Sequence, residues 1–438
     1  MNRSKFSWIA LPLMAMFAVA GNAFADENAI VSLQNQVEES NKNQNQQVGE
    51  LKNQVNDLTK KLSMLESKLT TVEGNVSASK PAIVHEGHGT VQPGPLSDIN
   101  VSGFIDTQWN NNFRQPKSNT NTGRVFDTTS GSFAVNAVEI DIEKAATEPG
   151  QAGFRVDIMH GNDANVVNGD GSDATSSVDL QQAYVQYIAP LSMFEGNSVL
   201  PSSVNIKAGR FVTLAGLEVI EAPQNWNISR SAMFGFGLPF THTGVRTEFG
   251  LFNDFLDVYL GLNNGWDQAV DTNKFKTLET AVGWKLFDKI QFFHTLYWGA
   301  ENATISSGTK RILITNTATI DITEKLSAMA ETNWGHQNGG TSGDVNTNPD
   351  WAGFAGYLKY QMTPKFSMAS RTEFFADKSV FRQAVDQRLF GQTFTAEYKL
   401  TDQLITRGEL RFDKGNESDG FSGKSHQTTI GAQMIYVI

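Results

Sequence analysis

The chain has 438 residues, 46 acidic against 35 basic side chains and a formal charge of −11, a balance that argues against nucleic acid as a partner. It contains no cysteine, which excludes a disulfide framework, thiolate metal sites and a lipid-modified N-terminal cysteine. Its only long apolar run lies at the start, so no internal stretch approaches the roughly 18 residues a transmembrane helix needs.

Residues 1–25 read as a secretory signal. Asn2-Arg3-Ser4-Lys5 is basic, Phe6–Ala20 is apolar, and Ala23-Phe24-Ala25 is a small-x-small cleavage site. Loss of Arg3 and Lys5 takes the formal charge from −11 to −13. An exported chain of this length without disulfides must draw its stability from a large hydrogen-bonded framework.

Residues 26–73 turn helical. Val48, Leu51, Val55, Leu58, Leu62, Leu65, Leu69 and Val72 alternate steps of three and four, a heptad seam with Val or Leu at a and d. Gln34, Asn41 and Gln44 occupy earlier seam positions and would fix register at some cost in stability. Lys61 and Lys68 at g can pair with Glu66 and Glu73 at e of a parallel neighbour. An isolated helix of this length is marginal, so the seam implies a partner, and a homo-oligomer is expected. Residues 74–96 are a linker rich in Gly, Pro and Ser. Its His85 and His88 lack a third ligand nearby, and no metal site is expected.

From residue 97 the period becomes two. Glu139, Asp141 and Glu143 oppose Val138, Ile140 and Ile142; Arg155 and Asp157 oppose Phe154, Val156 and Ile158. Arg371 and Glu373 oppose Met368 and Phe374, and Arg407, Glu409, Arg411 and Asp413 oppose Leu404, Leu410 and Phe412. Each segment is about ten residues, the length a tilted strand needs to cross hydrocarbon. Short turns at Asn253-Asp254, Phe287–Lys289, Thr323–Lys325, Thr363–Lys365 and Thr401–Gln403 alternate with long polar runs, as in bacterial outer-membrane barrels. The count is sixteen strands, near 98–110, 133–145, 151–160, 179–189, 203–211, 241–250, 255–264, 275–286, 290–300, 310–322, 326–335, 351–362, 365–375, 390–400, 403–413 and 427–438. A ring of that width cannot be filled by its wall side chains. The fold class is therefore all-β, a transmembrane antiparallel barrel over 97–438 behind an α-helical coiled coil, with the polar face inside and the apolar face against lipid. Trp109, Trp284, Trp298, Trp334 and Trp351 fall near strand ends, as an interface girdle requires.

The run between the fifth and sixth strands is longer than structureless connections usually are, which points either to a functional loop or to a mobile surface loop with no role. It carries Gly216, Gly235 and Gly237, Pro223 and Pro239, and the charges Glu218, Glu221 and Arg230. Folded into the lumen, residues 212–240 would narrow a pore. Glu218 and Glu221 are expected to face Arg230, Arg246 and Arg155 across it, with Asn225, Asn227 and His242 completing the constriction. The alternative is that either Glu pins the loop to the wall through an Arg. Charges of both signs predict mild selectivity, and no row of Lys and Arg signals an anion-specific path. The histidines are scattered and no Gly-x-Ser-x-Gly turn is present, so neither catalytic residues nor a cofactor are expected.

Gly209, Phe211, Thr213, Gly216, Glu218, Asn225, Asn227, Ser229, Arg230, Ser231, Pro239, His242, Thr243, Gly244 and Arg246 match, in order and spacing, a loop motif of the beta-barrel porin-2 (BBP2) family of outer-membrane proteins, which this stretch resembles. The resemblance implies a porin-type barrel. The chain departs from many outer-membrane barrels in closing on Tyr436-Val437-Ile438 rather than an aromatic residue. The expected function is passive diffusion of small hydrophilic solutes and ions across the outer membrane. The coiled coil is placed in the periplasm, and a trimer is favoured by analogy. Two alternatives stand beside it: an envelope tether with the barrel as anchor, and a barrel enzyme acting on lipid.

Overall fold

The computed structural model describes residues 98–168, 178–287, 289–301, 310–338, 348–377, 381–382, 387–416, 420–421 and 423–438, together with Lys42 and Lys60. The chain divides into two units, Met1–Gln92 and Pro93–Ile438. In the first, Lys42 and Lys60 are helical. The expected signal peptide, heptad seam and linker otherwise lie outside the described residues.

The second unit is a closed antiparallel barrel of sixteen strands. They are β1 (Asn100–Asn112), β2 (Ser132–Lys144), β3 (Ala152–His160), β4 (Val178–Pro190), β5 (Ser203–Val212), β6 (Thr241–Leu251), β7 (Leu256–Asn263) and β8 (Thr277–Leu286), followed by β9 (Ile290–Ala300), β10 (Lys310–Asp321), β11 (Leu326–Gln337), β12 (Asp350–Gln361), β13 (Phe366–Asp377), β14 (Gln387–Lys399), β15 (Leu404–Lys414) and β16 (His426–Val437). Every strand pairs with its sequence neighbours, and β1 closes on β16 from Phe104↔Val437 to Asn112↔Thr429. The strand count and alternation read from the sequence hold throughout. Closure leaves no free strand edge, which is what a sheet in hydrocarbon requires.

The two faces are reversed relative to a soluble protein. Leu358 is 50% exposed and Phe394 52% exposed on the outside, whereas Glu139, Asp157, Glu279 and Arg371 are wholly buried on the inside. Of the five tryptophans expected in the girdle, Trp298 and Trp334 are exposed on the outer face. Trp351 differs from the expected girdle role. It turns inward, is 1% exposed, and donates from Nε1 to the Gly237 carbonyl at 3.0 Å. Position in the strand put it at the right height, but parity put it on the lumen side.

Three short turns on one side share one device. Thr323, Thr363 and Thr401 each accept on Oγ1 from the backbone N–H groups two and three residues on. This side-chain-to-backbone turn closes each hairpin without needing glycine.

Two bulges interrupt the ladders, between Asp106 and Thr107 and between Asp157 and Ile158. They leave Asn136 and Gln181 without a paired residue opposite. A bulge re-aims a side chain. Here Gln181, fully buried, is turned to donate to the Glu221 carboxylate at 2.6 Å.

The lumen is not hollow. Residues 113–131, the short helix α1 (Asn162–Val167) and residues 213–240 all fold inward and share an apolar cluster that includes Phe126, Val167, Met233, Phe234, Leu238 and Phe240. The rings of Phe126, Phe234 and Phe240 lie 5.4–5.7 Å apart. Space too wide for wall side chains is thus filled by loops carrying their own core.

Candidate pore constriction

The inward segment 213–240 leaves the wall at its base through Thr213 N–H, which donates to the Phe240 carbonyl at 2.9 Å. The Tyr297 hydroxyl accepts from Leu214 N–H at 3.0 Å, and Glu331 accepts from Leu217 N–H at 2.9 Å. Gly216 makes the turn between them. Its φ is +93°, and a Cβ there would sit 2.6 Å from Leu238 Cδ1. A side chain is excluded on both grounds.

From that turn the segment crosses to the far wall. β13 is eight strands from β5 in a ring of sixteen, so it stands diametrically opposite. Buried backbone must find partners, and the β13–β15 wall supplies them with charged groups. Glu409 accepts from Ile228 N–H at 2.6 Å and Ser229 N–H at 3.1 Å, and Glu373 from Ala232 N–H at 2.6 Å. Arg411 donates to the Arg230 carbonyl at 2.7 Å, and Arg407 to the Ala222 carbonyl at 3.0 Å. Ser231 then caps the short helix α2 (Ala232–Gly237), its side chain accepting from Phe234 N–H at 3.0 Å.

The residues singled out from the sequence separate into two groups. Glu218 bonds Arg371 at 2.6 Å and accepts from Ser231 N–H at 2.7 Å, so its carboxylate pins the loop to the wall. Asn225 folds back on Val219 and Glu221, while Asn227 donates to Thr395 at 2.7 Å. Arg230 is buried, bonds the Val219, Ile220 and Ile228 carbonyls and lies over the Phe126 ring at 5.0 Å. His242 stacks on Tyr297 with ring centres 4.7 Å apart and meets the Gly265 carbonyl at 3.1 Å and the Thr213 hydroxyl at 3.3 Å. Arg246 pairs with Glu279 and covers the Phe211 ring at 4.1 Å. These six hold the segment in place.

Glu221 and Arg155 form the other group. Glu221 is partly exposed and within electrostatic reach of Arg155 and Asp141. Burial pushes its carboxyl above the usual range, against the hydrogen bond from Gln181 and the pull of Arg155. Arg155 holds Asp157 at 2.8 Å and reaches Glu143 at 3.5 Å and Asp141 at 3.6 Å. Lys207 and Glu248 share this wall, Lys207 lying over the Tyr184 ring at 5.3 Å. The alternation of charges marked Asp141 and Glu143 as inward-facing, but only the folded path of the loop shows which wall charges stay uncovered. Among the described residues no cluster of His, Asp and Glu could hold a metal ion.

Asp163 on α1 lies 3.6 Å from Arg230. Burial raises its carboxyl to about 7, with Arg230 opposing and Asp106 and Asp127 adding to the rise. Its folded value exceeds the ordinary 3.8, so docking of α1 is strongest below that value and weakens as pH rises through about 7. With no native cysteine, a spin label on Asn165→Cys reports this directly. The label should be less mobile at pH 4 than at pH 8, and Asp163→Asn should remove the difference.

A sixteen-strand antiparallel cylinder, apolar outside and charged within, with one loop carried across its lumen, defines an outer-membrane β-barrel porin. The sequence matches the family described as "Putative beta-barrel porin-2, OmpL-like" (BBP2) over residues 98–438, and the chain belongs to that family. No curated protein matches it. Among solved structures, the outer membrane channel DcaP of Acinetobacter baumannii is similar at 11% identity and a TM-score of 0.53, covering 78% of this chain and 97% of that one. Pseudomonas putida OprB is similar at 13% identity and a TM-score of 0.52, covering 78% and 95%. An anion-selective porin from Comamonas acidovorans is similar at 10% identity and a TM-score of 0.50, covering 78% and 99%. At these identities the likeness is one of fold.

Proposed function

We propose that small hydrophilic solutes and ions diffuse passively between the inward segment and the β2–β6 wall. One asymmetry carries this reading. On the β13–β15 wall the charged side chains are sealed under the loop, Arg371 at 0% and Arg411 at 2% exposure. On the β2–β3 wall Glu143 keeps 31% and Arg155 25%. Water, and whatever travels with it, meets the second wall.

Glu143, Asp141, Arg155 and Glu221 then set a mild selectivity through their local field, both signs being present. Reversal potentials across a KCl gradient test this. Glu221→Gln should move selectivity toward anions and Arg155→Gln toward cations, each by ~2-fold in permeability ratio where salt screens the field. Unchanged potentials in both would remove these residues from the path. Glu218→Gln should instead loosen the loop, because its carboxylate is spent on Arg371.

The heptad seam of residues 26–73 is proposed to join copies of the chain in the periplasm, with a trimer favoured, while the outer wall meets lipid. No observation in the barrel favours the tether or the lipid enzyme over the diffusion reading.

A further inference from the structure

On the long-loop side of the barrel, two arginines from distant parts of the chain share one indole. Arg311, the second residue of β10, faces the lumen with its guanidinium carbon 4.6 Å from the centre of the Trp266 ring. Arg382, five residues beyond β13, places its own 4.9 Å from the same ring. Phe381 lies under both, at 5.2 and 6.0 Å, and Trp351 stands edge-on to Trp266 at 5.8 Å. The cluster abuts the inward segment, since Arg382 Nε donates to the Phe236 carbonyl at 2.6 Å.

Among the described residues each guanidinium thus uses one nitrogen for the protein, Arg311 giving its Nε–H to Gln337 at 3.0 Å. Among the described residues the Nη nitrogens of both arginines have no acceptor, and neither arginine is in an ion pair; both residues are partly exposed. The nearby carboxylates are turned elsewhere. Glu301 takes Trp266 N–H at 2.8 Å and the Thr277 hydroxyl at 2.6 Å; Asp267 takes Phe240 N–H at 2.7 Å; Asp377 takes Arg382 N–H at 2.7 Å.

Those carboxylates offset the positive field, so a bare ion such as chloride gains little here. The arginines offer shape instead. A planar N–H fork matches two oxygens of a carboxylate or phosphate, and stacking on a ring holds the fork ready. We propose that Arg311 and Arg382 form an oxyanion subsite beside the inward segment, taking small solutes that carry a carboxylate or phosphate. The subsite rests on the diffusion reading above and adds a solute class to it.

Single channels of the full-length protein in KCl test the subsite, with glucose, gluconate or glucose 6-phosphate added to both sides and interruptions scored against each variant's own open current. Gluconate and glucose 6-phosphate should interrupt the current at lower concentration than glucose. Interruption by only one of them supports the subsite and assigns its oxyanion. Arg311→Gln and Arg382→Gln should each weaken the effect by about tenfold, and Arg382→Lys should restore only part, because lysine keeps charge without the fork. Arg382 lies outside the strand ladder, so its variants are decisive even where Arg311→Gln fails to assemble. Equal interruption by glucose, or wild-type interruption in Arg382→Gln, would overturn the subsite while leaving the diffusion reading intact. Absence of any current in the wild type would overturn both.

Discussion

Arg371→Met is expected to release the inward segment while leaving the barrel closed. Arg371 is fully buried and holds Glu218 at 2.6 Å, the Ser229 carbonyl, and the hydroxyls of Ser229 and Thr393 at 3.3 Å each. Its other carboxylate neighbour, Glu373, keeps Arg411 at 3.2 Å. Glu218 would keep only the Ser231 N–H, a buried charge with its counter-ion removed, and breaking such a pair costs about 3–5 kcal/mol. The sixteen ladders do not include Glu218, so the cost falls on loop docking rather than on the wall. Single-channel conductance should rise and become noisy, and protease should cut within 213–240. A variant with wild-type conductance and a protected loop would show that the remaining anchors at Glu409, Glu373 and Arg411 suffice. The conservative Glu218→Gln should behave in the same direction but more weakly, since it removes the charge and keeps an acceptor.

The second large effect is expected on the outside of the wall. Phe394 lies near the middle of β14 and is 52% exposed on the apolar face. Phe394→Arg places a guanidinium at mid-bilayer and should destabilise the folded barrel by about 2–4 kcal/mol, read from urea unfolding in lipid vesicles. Tyr398→Arg, four residues further on and one residue from the end of β14, should cost less because the penalty falls toward the interface. Equal, negligible costs would place that face in water.

The wall was legible in the sequence because its signal is local. Period-two alternation and short turns at steady spacing are set by residues two to forty apart, and all sixteen strands follow from them. The inward loop was legible too, from its length and its glycines. Pairings across the lumen were not. Glu218 and Arg371 are 153 residues apart, and nothing near Glu218 distinguishes Arg371 from Arg230 or Arg246 as its partner. The reading that Glu218 pins the loop through an arginine and the reading that it faces the pore predict the same local sequence. Arg311 and Arg382 escaped notice for a similar reason. They form no row along a strand; a wall strand and a distant loop bring them to one ring. Phe126 and Asp163 likewise sit in connections whose composition gave no sign that they turn inward.

The geometry also revises what the family motif does. Asn227, Arg230, His242 and Arg246 match it, and each is buried and committed to the loop, to the wall or to a neighbouring ring. Spacing that specific follows from the need to satisfy every polar group of a backbone laid across a lumen. On the reading proposed above, solute discrimination falls to residues outside the motif, on the uncovered wall and at the long-loop mouth.

The most direct measurement is current across a planar bilayer holding the purified full-length protein, recorded beside liposome swelling with sugars of increasing size. Discrete conductance steps of mild ion selectivity, with swelling that falls off as the sugar grows, are the predicted result. A protein that inserts and leaves the bilayer silent, with no swelling for even the smallest sugar, would contradict a water-filled path past the loop.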